Sequence, residues 1–193
     1  FKGPLSRILG ARAQANFQLG NHAAALQNIQ VSLEKDPNNS ELYDTLGEIK
    51  LGTHEYEQAM HNLTQALSLD SGNVSALLHR GLAYGGMGSL KNAVGDFRKA
   101  TELSPRSKEA WTYLCQARRL LKDNKAALKD CNRAVEVDAV YGPAYLQRGL
   151  TFLALRDAAR TVEDILTATQ LGIRRAEAWL AQSIAHAAAR QYK

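Results

Sequence analysis

Residues 74–107 read VSALLHRGLAYGGMGSLKNAVGDFRKATELSPRS. Apolar residues recur at helical spacing through Val74–Gly86 and again through Leu90–Leu103, with Gly88 and Ser89 between the two stretches. Ser104 and Pro105 close the second stretch. Periodic apolar faces interrupted by turn formers predict helix, turn, helix and stop within this unit.

Sliding this unit by its own length of 34 residues tiles most of the chain without insertion or deletion. The expected units are residues 6–39, 40–73, 74–107, 108–141 and 142–175, with a half unit or further helix at 176–193, all in one array over residues 1–193. Such a period replaces a compact globular core with a solenoid, in which each unit buries its apolar face against its neighbours. Columns of fixed size set the register. Ala13, Gly47, Gly81, Cys115, Gly149 and Ser183 make a small column in the first helices. Ala25, Ala59, Ala93, Ala127 and Thr161, and Ser32, Ala66, Ala100, Ala134 and Ala168, make two more in the second helices. Small residues let antiparallel helices approach closely. Leu9, Tyr43, Leu77, Trp111, Tyr145 and Trp179 supply bulk in the first helices, and Ile29, Leu63, Phe97, Cys131 and Ile165 in the second. Asn39, Asn73 and Ser107 stand where N-caps are needed, Pro143 in a first turn, and Pro37 and Pro105 just past helix ends.

The pattern Leu77, Gly81, Tyr84, Ala93, Phe97, Ala100 and Pro105 resembles the tetratricopeptide repeat, and the resemblance extends over nearly the whole chain. It implies an all-α solenoid, a right-handed superhelix of helix-turn-helix repeats whose first helices line a concave groove. Ser71, Ala139 and Ile173 depart from the family's proline, and Thr161 and Gly172 make the fifth unit the least regular.

A polar pattern lies within the packing columns. Arg80 and Arg148 share a first-helix column, and Asp96 and Asp164 share a second-helix column of the same two units, whereas Leu46 and Leu114 replace arginine in the second and fourth. An ion pair inside each of those two units is expected, since a partly desolvated arginine needs a carboxylate.

No constellation supports catalysis. Tyr84-Gly85-Gly86-Met87-Gly88 follows a helix and lacks the spacing of a phosphate loop. His54 and His61 lack the i, i+4 separation of a helical zinc site, and neither cysteine has a CxxC partner. No catalytic, metal or cofactor residues are therefore assigned, and no cofactor is expected.

The start shows no signal-peptide pattern, and no apolar run nears the ~20 residues that span a bilayer, so membrane insertion is not expected. The start at Phe1 and the unfinished last repeat suggest a fragment of something longer. Cys115 and Cys131 fall in apolar columns and are expected to be reduced packing residues, which favours a cytoplasmic, reducing location. Asn-x-Ser/Thr triplets begin at Asn38, Asn62 and Asn73, where ten asparagines make about one match expected by chance and Asn62 would sit inside a helix; a secreted or luminal location is the lesser alternative. The net charge of +5 is uneven: residues 1–72 hold 5 basic and 8 acidic side chains, and residues 73–193 hold 19 and 11. The two ends should attract different partners.

Function is expected on the other side of the first helices, which carries Arg7, Gln14 and Gln18, then Glu41, Asp44 and Glu48, then Leu78, His79 and Leu82. Glu109, Thr112, Tyr113, Gln116 and Arg119 follow, then Leu146, Gln147, Leu150 and Leu153, then Leu180 and Ile184. Leu78, His79, Leu82, Tyr113, Gln116, Arg119, Leu146, Gln147 and Leu150 form the expected ligand-binding set. The reading is a noncatalytic protein-interaction scaffold or adaptor that binds a peptide or helix of a partner protein. The family's chaperone-tail clamp needs cationic and amide side chains where Gln14, Thr45, Ser75 and His79 stand, which argues against chaperone C-terminal tails as partners. Two alternatives remain: nucleic-acid or acidic-polymer binding through Arg118, Arg119, Lys122, Arg174 and Arg175, although Asp123, Asp130 and Asp138 interleave with them, and the recognition segment of a larger enzyme. Self-association through an exposed terminal helix is a further expectation.

Overall fold

The computed structural model describes residues 3–173 and shows ten helices there: α1 Gly3–Gln18, α2 His22–Lys35, α3 Ser40–Gly52, α4 Tyr56–Leu69, α5 Val74–Gly86, α6 Leu90–Leu103, α7 Lys108–Leu120, α8 Asn124–Val137, α9 Gly142–Ala154 and α10 Ala158–Gln170. From α4 onward every helix starts 34 residues after its counterpart in the preceding pair. No strand occurs among the described residues, and the fold is an all-α helical repeat. The half unit at 176–193, with Trp179, Leu180, Ser183 and Ile184, lies outside the described residues, as does the terminal helix expected to self-associate. Arg174 and Arg175 lie there too.

The chain divides into two compact units, residues 1–99 and 100–193. In the first, α1 packs on α2 and α3 on α4, and α3 also meets α1, α2 and α5. In the second, α7 packs on α8 and α9 on α10, with α9 against both α7 and α8.

Helix ends follow from local chemistry. Asn39 Oδ1 accepts from the Glu41 and Leu42 amides, Asn73 Oδ1 from Ala76, and Ser107 Oγ from Ala110, so each expected cap satisfies amides that the helix cannot. Asp123 and Asp157 cap α8 and α10 in the same way. The turn inside each hairpin passes through the left-handed region at one repeating position: Gly20 (φ 78°), His54 (60°), Gly88 (74°), Lys122 (64°) and Arg156 (62°). Two of these are glycine; the other three hold a side chain where the backbone disfavours one.

The small and bulky columns meet across each hairpin. A Cβ added to Gly47 would strike Leu63, one on Gly81 would strike Phe97, and one on Gly149 would come within 3.1 Å of Ile165 Cδ1. In the α7–α8 hairpin the same two columns hold Cys115 and Cys131. Their Cα atoms lie 5.3 Å apart, and they form a disulfide. The expectation of reduced cysteines is thus overturned. The close helix approach that glycine permits elsewhere brings two sulfurs within bonding reach here, since a disulfide needs Cα atoms about 4.4–6.8 Å apart.

The expected ion pairs are present. Arg80 donates from Nε and Nη2 to the two oxygens of Asp96, both at 2.8 Å, and Arg148 does the same to Asp164, also at 2.8 Å. Each arginine also reaches the second helix of the preceding pair, Arg80 to Thr64 and Arg148 to Asn132, both at 3.4 Å. The α7–α8 hairpin has its own version. Asp130 occupies the aspartate column, and Arg118, one turn beyond Leu114, donates to it at 2.7 and 2.9 Å.

Candidate functional site

In the first unit the face formed by α1, α3 and α5 is organised by contacts between residues about one repeat apart. Gln14 Nε2 donates to Glu48 Oε2 at 2.8 Å, and His79 Nδ1 lies 2.7 Å from Asp44 Oδ1. Asp44 and Glu48 are one turn apart on α3, so both side chains point the same way. Burial disfavours the His79 imidazolium, but the Asp44 hydrogen bond and the charges of Asp44 and Glu48 outweigh it and raise the pKa above the ordinary histidine value. Leu78 and Leu82, one turn apart on α5, are half-buried, and Glu41 at the start of α3 is exposed. Thr45 turns back to the Glu41 carbonyl at 2.9 Å.

In the second unit α7 and α9 supply the corresponding face. Tyr113, Gln116 and Arg119 are half-buried along α7, and Arg119 Nη2 donates to Gln147 Oε1 on α9 at 3.2 Å. Leu150 and Leu153 are half-buried and pack against the cluster of Leu146, Ile165 and Ala168. The structure departs from the sequence reading at three positions of this face. Leu146 is 1% exposed, Thr112 3% and Gln147 5%, so none of the three is an open surface side chain. The reason is helical: Leu146 precedes Gly149 by three residues, and Thr112 precedes Cys115 by three, so each shares a face with the small column that admits the second helix. Leu146 is a core residue. Arg7's side chain lies outside what the structure describes, and Gln18 is exposed near the end of α1.

Five of the eleven basic side chains of residues 100–173 form ion pairs with acids. Lys108 bonds Asp138 at 2.6 Å, Arg118 bonds Asp130, Arg148 bonds Asp164, and Arg160 reaches Asp157 at 2.6 Å. Arg133 pairs with Glu136 at 3.0 Å. Cations committed in this way have less to give to phosphates. The sequence reading had missed Arg118–Asp130. Its signal was present as an aspartate in the column of Asp96 and Asp164 with an arginine displaced by four residues.

Among the described residues no helix is long and apolar enough to cross a membrane, and no group of three or more His, Cys, Asp or Glu is placed to hold a metal.

Comparison with known proteins agrees with this geometry. Residues 40–70 match the SHNi-TPR family, and residues 80–140 match a tetratricopeptide repeat family. Tetratricopeptide repeat protein 14 of Mus musculus is 32% identical over 117 residues, which cover 61% of this chain and 14% of that protein. The heat-shock protein cognate co-chaperone sgt12 of Aspergillus fumigatus is 32% identical over 104 residues, or 54% of this chain and 30% of that one. The chain therefore corresponds to a minor part of the length of these relatives. Among solved structures, YrrB, described as a TPR protein with an unusual peptide-binding site, superposes with a TM-score of 0.70 at 18% identity, covering 91% of this chain and 90% of that one. At that identity the likeness speaks to the fold.

Proposed function

The chain is a tetratricopeptide-repeat protein, and from that premise we propose that it is a noncatalytic scaffold whose first-helix faces hold a peptide or helix of a partner protein. One observation carries the proposal: on these faces polar side chains are fixed by neighbours in the next first helix, as in Gln14–Glu48, Asp44–His79 and Arg119–Gln147. Groups held in place before a ligand arrives lose little entropy on binding, so they favour recognition. Half-buried Leu78 and Leu82 in one unit, and Tyr113 with Leu150 in the other, supply apolar contact beside them. Similarity to a co-chaperone supports a protein or peptide ligand.

The first unit's face offers no fixed cationic set for a terminal carboxylate, because His79 is engaged by Asp44 and Thr45 by a backbone carbonyl. Chaperone tails are not the proposed ligand. The cytoplasmic location expected from reduced cysteines loses its basis in the Cys115–Cys131 disulfide and forms no part of the proposal.

Selection of displayed random 12-residue peptides on the full chain tests the reading. Peptides recovered should lose at least tenfold in affinity on Leu82→Asp or on Tyr113→Ala combined with Arg119→Ala, with melting curves that still show a folded array. Peptides indifferent to both changes, or no enrichment at all, would refute a ligand on these faces.

A further inference from the structure

Two features left unused by peptide binding point the same way. The first is Cys115–Cys131. Both residues are fully buried, and Thr151 Oγ1 lies 3.6 and 3.9 Å from their sulfurs. The Cα separation of 5.3 Å comes from the close approach that three other hairpins achieve with a glycine against Leu63, Phe97 or Ile165. Pairs of this kind persist where thiols are oxidised and are rare where they are kept reduced.

The second is the set of Asn-x-Ser/Thr triplets, which the structure sorts. Asn62 is half-buried inside α4, and its Nδ2 donates to the Gln58 carbonyl at 2.8 Å. Asn73 caps α5 through Oδ1 while its Nδ2 donates to Ser40 Oγ at 2.9 Å. Both carboxamide nitrogens are committed to the fold. Asn38 differs: it is exposed in the turn between α2 and α3, its side chain has no partner among the described residues, and Asn39 and Ser40 complete its triplet. An unengaged asparagine in a surface turn is the setting in which this triplet acts as a carbohydrate acceptor.

We propose that this chain matures in an oxidising, glycosylating compartment, in which Asn38 carries an N-linked oligosaccharide and Cys115 is joined to Cys131. In the first step a bond forms between Asn38 Nδ2 and the anomeric carbon of a polyprenyl-diphosphate-linked oligosaccharide. That carbon's bond to the diphosphate oxygen breaks, and one amide proton leaves. In the second, two thiols lose two protons and two electrons to a disulfide-donating oxidoreductase, whose own disulfide is reduced. The glycan sits on an inter-helix turn, so the side chains of the α3 and α5 face stay available.

The test uses the full chain recovered by antibody from cells that express it naturally, and in parallel the same chain secreted from a eukaryotic host. Peptide N-glycosidase should remove a glycan from the peptide that holds position 38 in both and leave aspartate there. Maleimide under denaturing conditions should label neither Cys115 nor Cys131 until a reductant is supplied, then both. Asn38→Gln should remove the glycan from the secreted chain without changing its melting point. A natural chain with two free thiols or an unmodified Asn38 overturns the proposal, as does a glycan that survives Asn38→Gln.

Discussion

The Arg80–Asp96 pair can be tested against a control that the chain itself provides. One repeat earlier the same two columns hold Leu46 and Asn62, so Arg80→Leu with Asp96→Asn imports a combination this fold already accommodates. The Asp96 side chain is 11% exposed and the Arg80 side chain 20%, so either partner left alone keeps a poorly solvated charge. Removing one member of a fully buried pair costs about 3–5 kcal/mol; with this partial access to water about 2–3 kcal/mol is expected for each single change, while the double change should cost about 1 kcal/mol. In a chain of this size 1 kcal/mol moves the melting point by roughly 2–4 °C, so the singles should fall by roughly 5–10 °C and the double by less than either. Circular dichroism melts of the four proteins give a coupling energy of at least about 2 kcal/mol if the reasoning holds. Additive single losses would show that the two-pronged contact, 2.8 Å at each prong, carries no net pairing energy.

Other expectations follow from the same geometry. Gly81→Leu should destabilise the α5–α6 hairpin by about 1–3 kcal/mol, because its first added carbon meets the Phe97 ring; an unchanged melt would contradict the hairpin register. Since the folded pKa of His79 is raised, its pair with Asp44 contributes stability that is full below the unfolded pKa of about 6.5 and is lost as pH rises through the folded value. Melting points taken across that window should fall toward higher pH, and Asp44→Asn should flatten the dependence. Lys122→Gly should raise stability by up to about 1 kcal/mol by relieving the left-handed backbone at φ 64°, whereas Gly88→Lys should lower it; denaturant titrations would read both. Leu146→Asp should unfold the α9–α10 hairpin outright, and a soluble, fully helical variant would argue against its place in the core.

Much of the fold was legible because the packing columns constrain size, and size is written in the residue names. Gly47, Gly81 and Gly149 announced close helix approach, and Arg80 with Asp96 and Arg148 with Asp164 announced partners by appearing in the same repeats. What escaped was relational. Cys115 and Cys131 were each assigned to a column, but only crossing the two columns over the hairpin shows that they touch. Arg118 serves Asp130 from a position one turn off the arginine column, so a search at fixed offset passes over it. His54, Lys122 and Arg156 occupy the turn that Gly20 and Gly88 mark, and nothing in a lysine or arginine signals a positive φ. Leu146 failed differently: a stripe drawn at helical spacing has an edge, and three residues before Gly149 that edge already belongs to the core.

That edge bears on how a binding face can diverge within a repeat protein. Stability in such a chain is close to a sum of terms within hairpins and between neighbours, and those terms are carried here by the small, bulky and arginine–aspartate columns. Positions off these columns can change with little loss. They differ from one repeat to the next: Asp44 and Glu48 on α3, Leu78 and Leu82 on α5, Tyr113 and Arg119 on α7. Yet Thr112 and Gln147 show that the same face reaches into buried ground, where Thr112 bonds the Lys108 carbonyl at 2.7 Å and Gln147 accepts from Arg119. A substitution at either should alter ligand recognition and repeat stacking together, whereas one at Gln116 should alter recognition alone. The part of the face able to change its ligand without weakening the array is therefore narrower than helical periodicity suggests, and in the second unit it is centred on α7.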